Sequence, residues 1–155
     1  MNRYLPVLFI LLTSPLLADD PTTITGKVLS VADGDTLTVL EGKTQHKIRL
    51  FGIDAPEKKQ AFGTKAKDAL AALTFGKTVT VTVVDTDRYG RSVGKVTQGG
   101  ADVSRKMVAD GFAWRYKTYD KKGEYTAAQA EAKDAKRGLW VDPEPTPPWE
   151  FRRKK

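Results

Sequence analysis

Three short runs of this chain carry side chains able to work on a phosphate ester: Asp33-Gly34-Asp35, Arg49 with Asp54 and Glu57, and Arg88-Tyr89 with Arg91. Asp35 and Asp54 supply hard oxygen donors, and with a backbone carbonyl and water they can hold a hard cation. The planar fork of arginine matches the paired oxygens of a phosphate. Arg49 and Arg91 can therefore neutralise the charge that grows on a pentacovalent phosphorane. Glu57 can deprotonate or orient a water, a step that typically contributes about 10²- to 10⁴-fold in rate. Each run also has a plain structural reading. Asp-Gly is a common hairpin turn, and arginines at the surface form ion pairs of little energetic weight. The first turn is not an EF-hand, because the twelfth position counted from Asp33 is Thr44 and not glutamate.

These runs fall where the hydrophobic pattern ends its elements. Two strands are predicted between Thr22 and Leu40, with Ile24, Val28 and Val31 in the first, Leu37 and Val39 in the second, and Asp33-Gly34-Asp35 as the turn. Glu41-Gly42-Lys43 turns again into a third strand, Thr44 to Ile53. Ala55-Pro56 then breaks the ladder and leaves Asp54 and Glu57 at the rim of a sheet. After Gly63, Ala66, Ala69, Leu70 and Leu73 recur at i, i+3, i+4 and i+7, the single apolar stripe of a helix. Thr78 to Val83 alternates Thr and Val as a half-buried strand does, and Val93 to Thr97 returns as its partner. The polar loop from Asp85 to Arg91 lies between them.

Asp102 can cap a short helix that turns Val103, Met107 and Val108 inward and closes at Gly111. A last helix, Glu124 to Lys136, sets Tyr125, Ala128, Ala132 and Ala135 on one face. Beyond it, Asp142 to Pro148 reads as extended and Arg152 to Lys155 as a basic tail. Three strands in a row followed by a helix and two more strands predict an α+β fold, a five-stranded OB-like β-barrel with three α-helices. A ferredoxin-like sheet would require strand-helix-strand-strand-helix-strand instead.

At 155 residues the chain suits one domain with a real core. It has no cysteine, which excludes disulfides, thiolate metal sites and a cysteine nucleophile; the single histidine, His46, reads as a strand residue. Residues 1–18, with Arg3 ahead of an apolar run from Leu5 and small residues up to Ala18, read as a secretory signal peptide. The run is short for a membrane span and contains Pro6 and Pro15. The expected organisation is therefore signal peptide 1–18, catalytic or binding domain 19–141, and Pro-rich basic tail 142–155. The formal net charge of +7 predisposes the protein toward polyanions such as nucleic acid.

Five motifs in order carry a resemblance: Asp33-Gly34-Asp35-Thr36, Arg49 to Glu57, Asp87-Arg88-Tyr89-Gly90-Arg91, Gly111-Phe-Ala-Trp114, and Gly138-Leu-Trp140 continuing to Pro147-Pro-Trp149-Glu-Phe-Arg152. Together they resemble the thermonuclease (staphylococcal nuclease-like) family. The resemblance implies an OB-fold, Ca²⁺-dependent nuclease that cuts DNA and RNA with little sequence preference and leaves 3′-phosphate ends. It also implies a secreted or periplasmic monomer with no stable membrane association. Position by position, it implies calcium ligands at Asp35 and Asp54 and at the carbonyl of Ala55, and a catalytic trio of Arg49, Glu57 and Arg91. Arg88 and Tyr89 match contacts to the terminal phosphate of the nucleotide, and Tyr119 matches an aromatic at the base pocket. Two positions depart from the best-known member: Ala55 replaces a threonine, and Lys117 replaces a second pocket tyrosine. A non-catalytic OB-fold module that only binds nucleic acid is the alternative. A decayed site would be expected to lack at least one of Asp35, Arg49, Asp54, Glu57 and Arg91, and all five are in the sequence.

Overall fold

The computed structural model describes residues 20–154; the predicted signal peptide and Lys155 lie outside the described residues. Strand β1 (Thr23–Asp33) buries Ile24, Val28 and Val31. Two of these are three residues apart, which a plain pleat would point to opposite faces. The register against β2 (Thr36–Glu41) slips between Val28 and Ser30, and such a bulge both restores the inward face and bends the strand. β3 (Thr44–Leu50) pairs antiparallel with β2, β5 (Thr78–Thr86) with β1, and β6 (Ser92–Gln98) with β5.

Parallel pairing of β3 with β6, Ile48 opposite Ser92 through Leu50 opposite Gly94, closes these five strands into a barrel. The expected five-stranded OB-like barrel is thus present. The two-residue β7 (Ala101–Asp102) extends its edge. Leu37, Val39, Ile48, Leu50, Val79 and Val81 fill the interior, each contributing about 1.5–3 kcal/mol by leaving water.

The predicted third strand ends earlier than the sequence suggests. β3 stops at Leu50, and Gly52, at φ 75°, turns the chain into a separate ladder of β4 (Ile53–Asp54) with β8 (Trp114–Arg115). A side chain at Gly52 would also meet the Tyr125 ring at 2.5 Å, so only glycine fits there. The kink re-aims Asp54 from the barrel wall toward the rim.

Helix α1 (Gly63–Thr74) lays Ala66 and Leu70 on the barrel as its stripe predicts. α2 (Val103–Ala109) begins at Asp102, whose carboxylate accepts the Arg105 amide at 3.0 Å. α3 spans Thr126–Asp134, shorter than expected, and buries Ala128 and Ala132 while Ala135 is exposed. The expected basic tail is helical instead. A 3₁₀ turn (Gly138–Val141) buries Leu139 and Trp140, and a fourth helix, α4 (Pro148–Arg153), follows.

The segment between β8 and α3 is organised by Asp120, which is fully buried. Its carboxylate accepts from Arg115 Nε at 2.6 Å and from the amides of Glu124 at 2.7 Å and Tyr125 at 3.1 Å. Burial pushes this carboxyl up, but the hydrogen bonds from Arg115 and the two amides outweigh burial and hold it below its ordinary value. Its stabilisation is present in full above the ordinary carboxylate value of 3.8 and is lost as pH falls below that through the folded value. Asp120→Ala removes the acceptor of Arg115 Nε and of two amides and is expected to cost about 1–3 kcal/mol at neutral pH. Urea denaturation should show that penalty shrinking in acid, where the parental carboxylate is itself protonated.

Candidate active site

The three runs converge on one cleft of about 700 Å³ at the rim of the barrel. Asp35, Arg49, Asp54, Ala55, Glu57, Arg88, Tyr89, Arg91 and Tyr119 all line it, so the fold brings every expected site residue together. The first turn is pinned in place. A Cβ on Gly34 would come within 2.6 Å of the Ala55 side chain and 2.7 Å of that of Ala66, so this backbone presses directly on the next loop and on α1. Asp35 completes the junction by accepting the Ala55 amide at 2.7 Å, and the Leu50 amide donates to the Asp35 carbonyl at 2.8 Å.

Arg49 is the penultimate residue of β3 and is buried between the two aspartates, its Nη2 3.3 Å from Asp35 Oδ2 and 3.3 Å from Asp54 Oδ1. Its Nη1 donates to the Leu50 carbonyl at 3.0 Å, which fixes the plane of the guanidinium. The Asp35 carboxyl is pushed up to about 7, foremost by burial, which Arg49 offsets only in part, and further by Asp33 and Asp54. An additional cation at this spot would relieve that strain. Among the described residues no group of three or more His, Cys, Asp or Glu side chains is gathered to hold a metal. A cation would rest on two carboxylates, with backbone carbonyl and water completing the shell. That all-oxygen donor set suits a hard ion.

Arg91 reaches the cleft from the β5–β6 loop, and its anchor is Asp87. Asp87 Oδ1 accepts the amides of Tyr89 at 2.9 Å and Arg91 at 3.0 Å, and Oδ2 accepts Arg91 Nε at 2.6 Å. Burial pushes Asp87 up, yet these bonds, led by the Arg91 amide, bring it below its ordinary value, so the aspartate is charged when the arginine needs it. Arg91 Nη1 also donates to Thr36 Oγ1 at 3.3 Å, tying this loop to the start of β2. Tyr89, 69% exposed, lies under two guanidiniums, Arg88 at 4.9 Å and Arg91 at 5.5 Å from its ring centroid. It is well placed to stack or to guide, and poorly placed to hold the fold.

Three cleft features escaped the sequence reading. Arg152 of α4 donates from Nη1 to Glu57 Oε1 at 2.9 Å and to Asp54 Oδ1 at 3.2 Å, and from Nη2 to Asp54 Oδ2 at 2.8 Å. The pairing, with the Asp54 hydrogen bond foremost, raises its already high pKa further. Gln60 holds the Glu57 amide at 3.0 Å and donates to the Thr146 carbonyl at 2.6 Å, joining the glutamate loop to the segment that leads into α4. Tyr116, with its ring centroid 5.4 Å from that of Tyr119, supplies the second aromatic of the cleft. Lys117, which occupies the sequence position matched to that tyrosine, points to a different cavity.

Comparison with known proteins agrees with the motif order. Residues 47–142 match the family model described as "Staphylococcal nuclease homologue". An Escherichia coli O157:H7 protein named "Uncharacterized endonuclease" is 43% identical over 156 residues, spanning the whole of both chains. A Shigella flexneri protein named "Micrococcal nuclease" is 42% identical over 142 residues, covering 83% of this chain and 80% of its own. A rice protein named "Probable staphylococcal-like nuclease CAN3" is 39% identical over 127 residues, covering 82% of this chain but only 32% of its own.

Proposed function

Because this chain belongs to the staphylococcal nuclease family, we propose that it is a secreted, Ca²⁺-dependent nuclease that hydrolyses DNA and RNA with little sequence preference and leaves 3′-phosphate ends. The observation that supports this reading is the meeting of Arg49, Glu57 and Arg91 with the carboxylates of Asp35 and Asp54 in a single cleft. The cation would be held by Asp35, Asp54 and the Ala55 carbonyl, where it supplies charge stabilisation and a more acidic water.

The chain's own groups divide the remaining work. Arg49 and Arg91, fixed on opposite sides by Asp54 and Asp87, clamp the phosphate and stabilise the charge that develops on its oxygens. Glu57 accepts a proton from the attacking water or orients it. Arg152 holds Oε1 of this carboxylate and so orients it, leaving Oε2 to face the water. Arg88 and Tyr89 steer the terminal phosphate, and Tyr119 together with Tyr116 bounds the base. The apolar run ahead of Ala18 supports export to the periplasm or medium, which cell fractionation of the full-length chain would test.

Digestion of single-stranded DNA, double-stranded DNA and RNA, followed by mapping of the new ends, tests the proposal. All three should be cut to 3′-phosphate products at scattered positions. Cutting at one sequence only, or 5′-phosphate products, would contradict it. Arg152 supplies a second test. Its pair with Asp54 competes for a carboxylate that the cation needs, and a half-exposed pair contributes at most about 1 kcal/mol. Arg152→Ala should therefore tighten Ca²⁺ binding, read by calorimetry without substrate, by about fivefold or less.

A further inference from the structure

Beside the catalytic cleft lies a second cavity of about 470 Å³, lined by Trp114, Tyr116, Trp149, Lys117, Lys133 and Arg153 among others. Its size falls within the range of small-ligand sites, about 300–1,000 Å³. Its chemistry differs from that of the cleft. No carboxylate lines it, while Arg115, Lys117, Lys133 and Arg153 all do. Arg115 is committed to Asp120 and Lys133 lies 5.7 Å from the Trp114 ring centroid. Lys117 and Arg153 are exposed and form no ion pair among the described residues. Two free cations over an apolar aromatic floor leave positive charge unbalanced in a place built from flat rings.

The rings form a continuous path out of the cleft. Tyr116 lines both cavities. Its centroid lies 5.4 Å from that of Tyr119 on the cleft side, and 5.9 Å from that of Trp149 on the other, with the latter pair tilted by 35°. Trp149 in turn meets Trp114 edge-on at 5.6 Å. Aromatic steps flanked by cations are how proteins follow a single nucleic-acid strand, bases on the rings and phosphates on the charges. An acidic peptide would use the cations and leave the aromatic floor idle.

We propose that this cavity is a second nucleotide subsite, which stacks a base of the single-stranded substrate next to the one held at Tyr119. The inference rests on the nuclease reading of the neighbouring cleft and extends the substrate from one nucleotide to a strand that crosses Tyr116. It also gives α4 a role, since Trp149 and Arg153 enter the subsite from the helix that sends Arg152 to Glu57.

The test compares a 4-nitrophenyl ester of thymidine 5′-phosphate, whose single base occupies the cleft alone, with an oligothymidylate of eight nucleotides, using the parental protein and Lys117→Glu/Lys133→Glu. Both lysines are exposed, so the double variant is expected to fold. It should lose about tenfold or more in kcat/KM on the octamer and less than twofold on the single-base ester. An equal loss on both substrates, or no loss on either, overturns the subsite. Binding is read separately as tryptophan quenching without Ca²⁺. The octamer should quench the parental protein and do so more weakly in the double variant, whereas polyglutamate should not quench it. Equal quenching by polyglutamate overturns the stacking. If the parental protein binds the octamer in this way but cuts neither substrate, the nuclease reading fails and the subsite stands.

Discussion

Glu57→Gln is expected to lower kcat by about 10²–10⁴-fold on any nucleic-acid substrate while leaving KM close to its parental value. The amide keeps the size of the carboxylate and can still accept a hydrogen bond, but it cannot take a proton from water. The loss should therefore fall on the chemical step. Stability should hardly change, because the side-chain partner of Glu57 among the described residues is Arg152, whose own side chain is 42% exposed, and pairs of that kind contribute little. Stopped-flow or steady-state rates at saturating substrate separate the possibilities. A variant that cuts at the parental rate shows that the attacking water is activated elsewhere. A variant whose loss lies wholly in KM shows that Glu57 only holds substrate.

Arg91→Ala should lower kcat by about 10²–10³-fold, the cost of removing one preorganised donor from a developing oxyanion. Asp87 makes this arginine preorganised: it grips the Arg91 amide at one oxygen and the Arg91 side chain at the other. Little ordering is left to be done when the phosphate arrives. Arg91→Lys should recover only part of the rate, since a lysine keeps the charge and loses the fork. Asp87→Asn should fall between the two, with an intact cleft and a looser arginine. Equal rates for Arg91→Ala and the parental protein would remove Arg91 from the reaction.

Local pattern carried much of this architecture. The Asp33-Gly34-Asp35 turn, the stripe of α1 and the Asp102 cap each depend on residues close in sequence, and each appears where the spacing puts it, whereas the inward face of β1 needs a bulge after Val28 that the spacing alone does not place. The nine expected site residues meet in one cleft because the barrel brings three turns to the same rim. Long-range closure was less legible. Gly52 looks like an ordinary strand residue until the Tyr125 ring and its positive φ are seen together. Nothing local marks Arg152, which crosses 98 residues of sequence to reach Asp54. Its Pro-rich approach carries no helix up to Pro147, and the expected basic tail is helical instead; Pro148 at the first turn of α4 favours that helix, since the position needs no amide donor. Asp87 was visible as a charge and not as an anchor, because its role lies in accepting two backbone amides.

The proposed reaction requires a cation held by Asp35 and Asp54, and one time course tests that requirement. The purified protein is given a labelled single-stranded oligonucleotide with Ca²⁺, then an excess of chelator, then Ca²⁺ again. Cleavage should begin, stop within the mixing time and resume at its former rate. Cleavage that continues undiminished through the chelator would contradict the metal-dependent site.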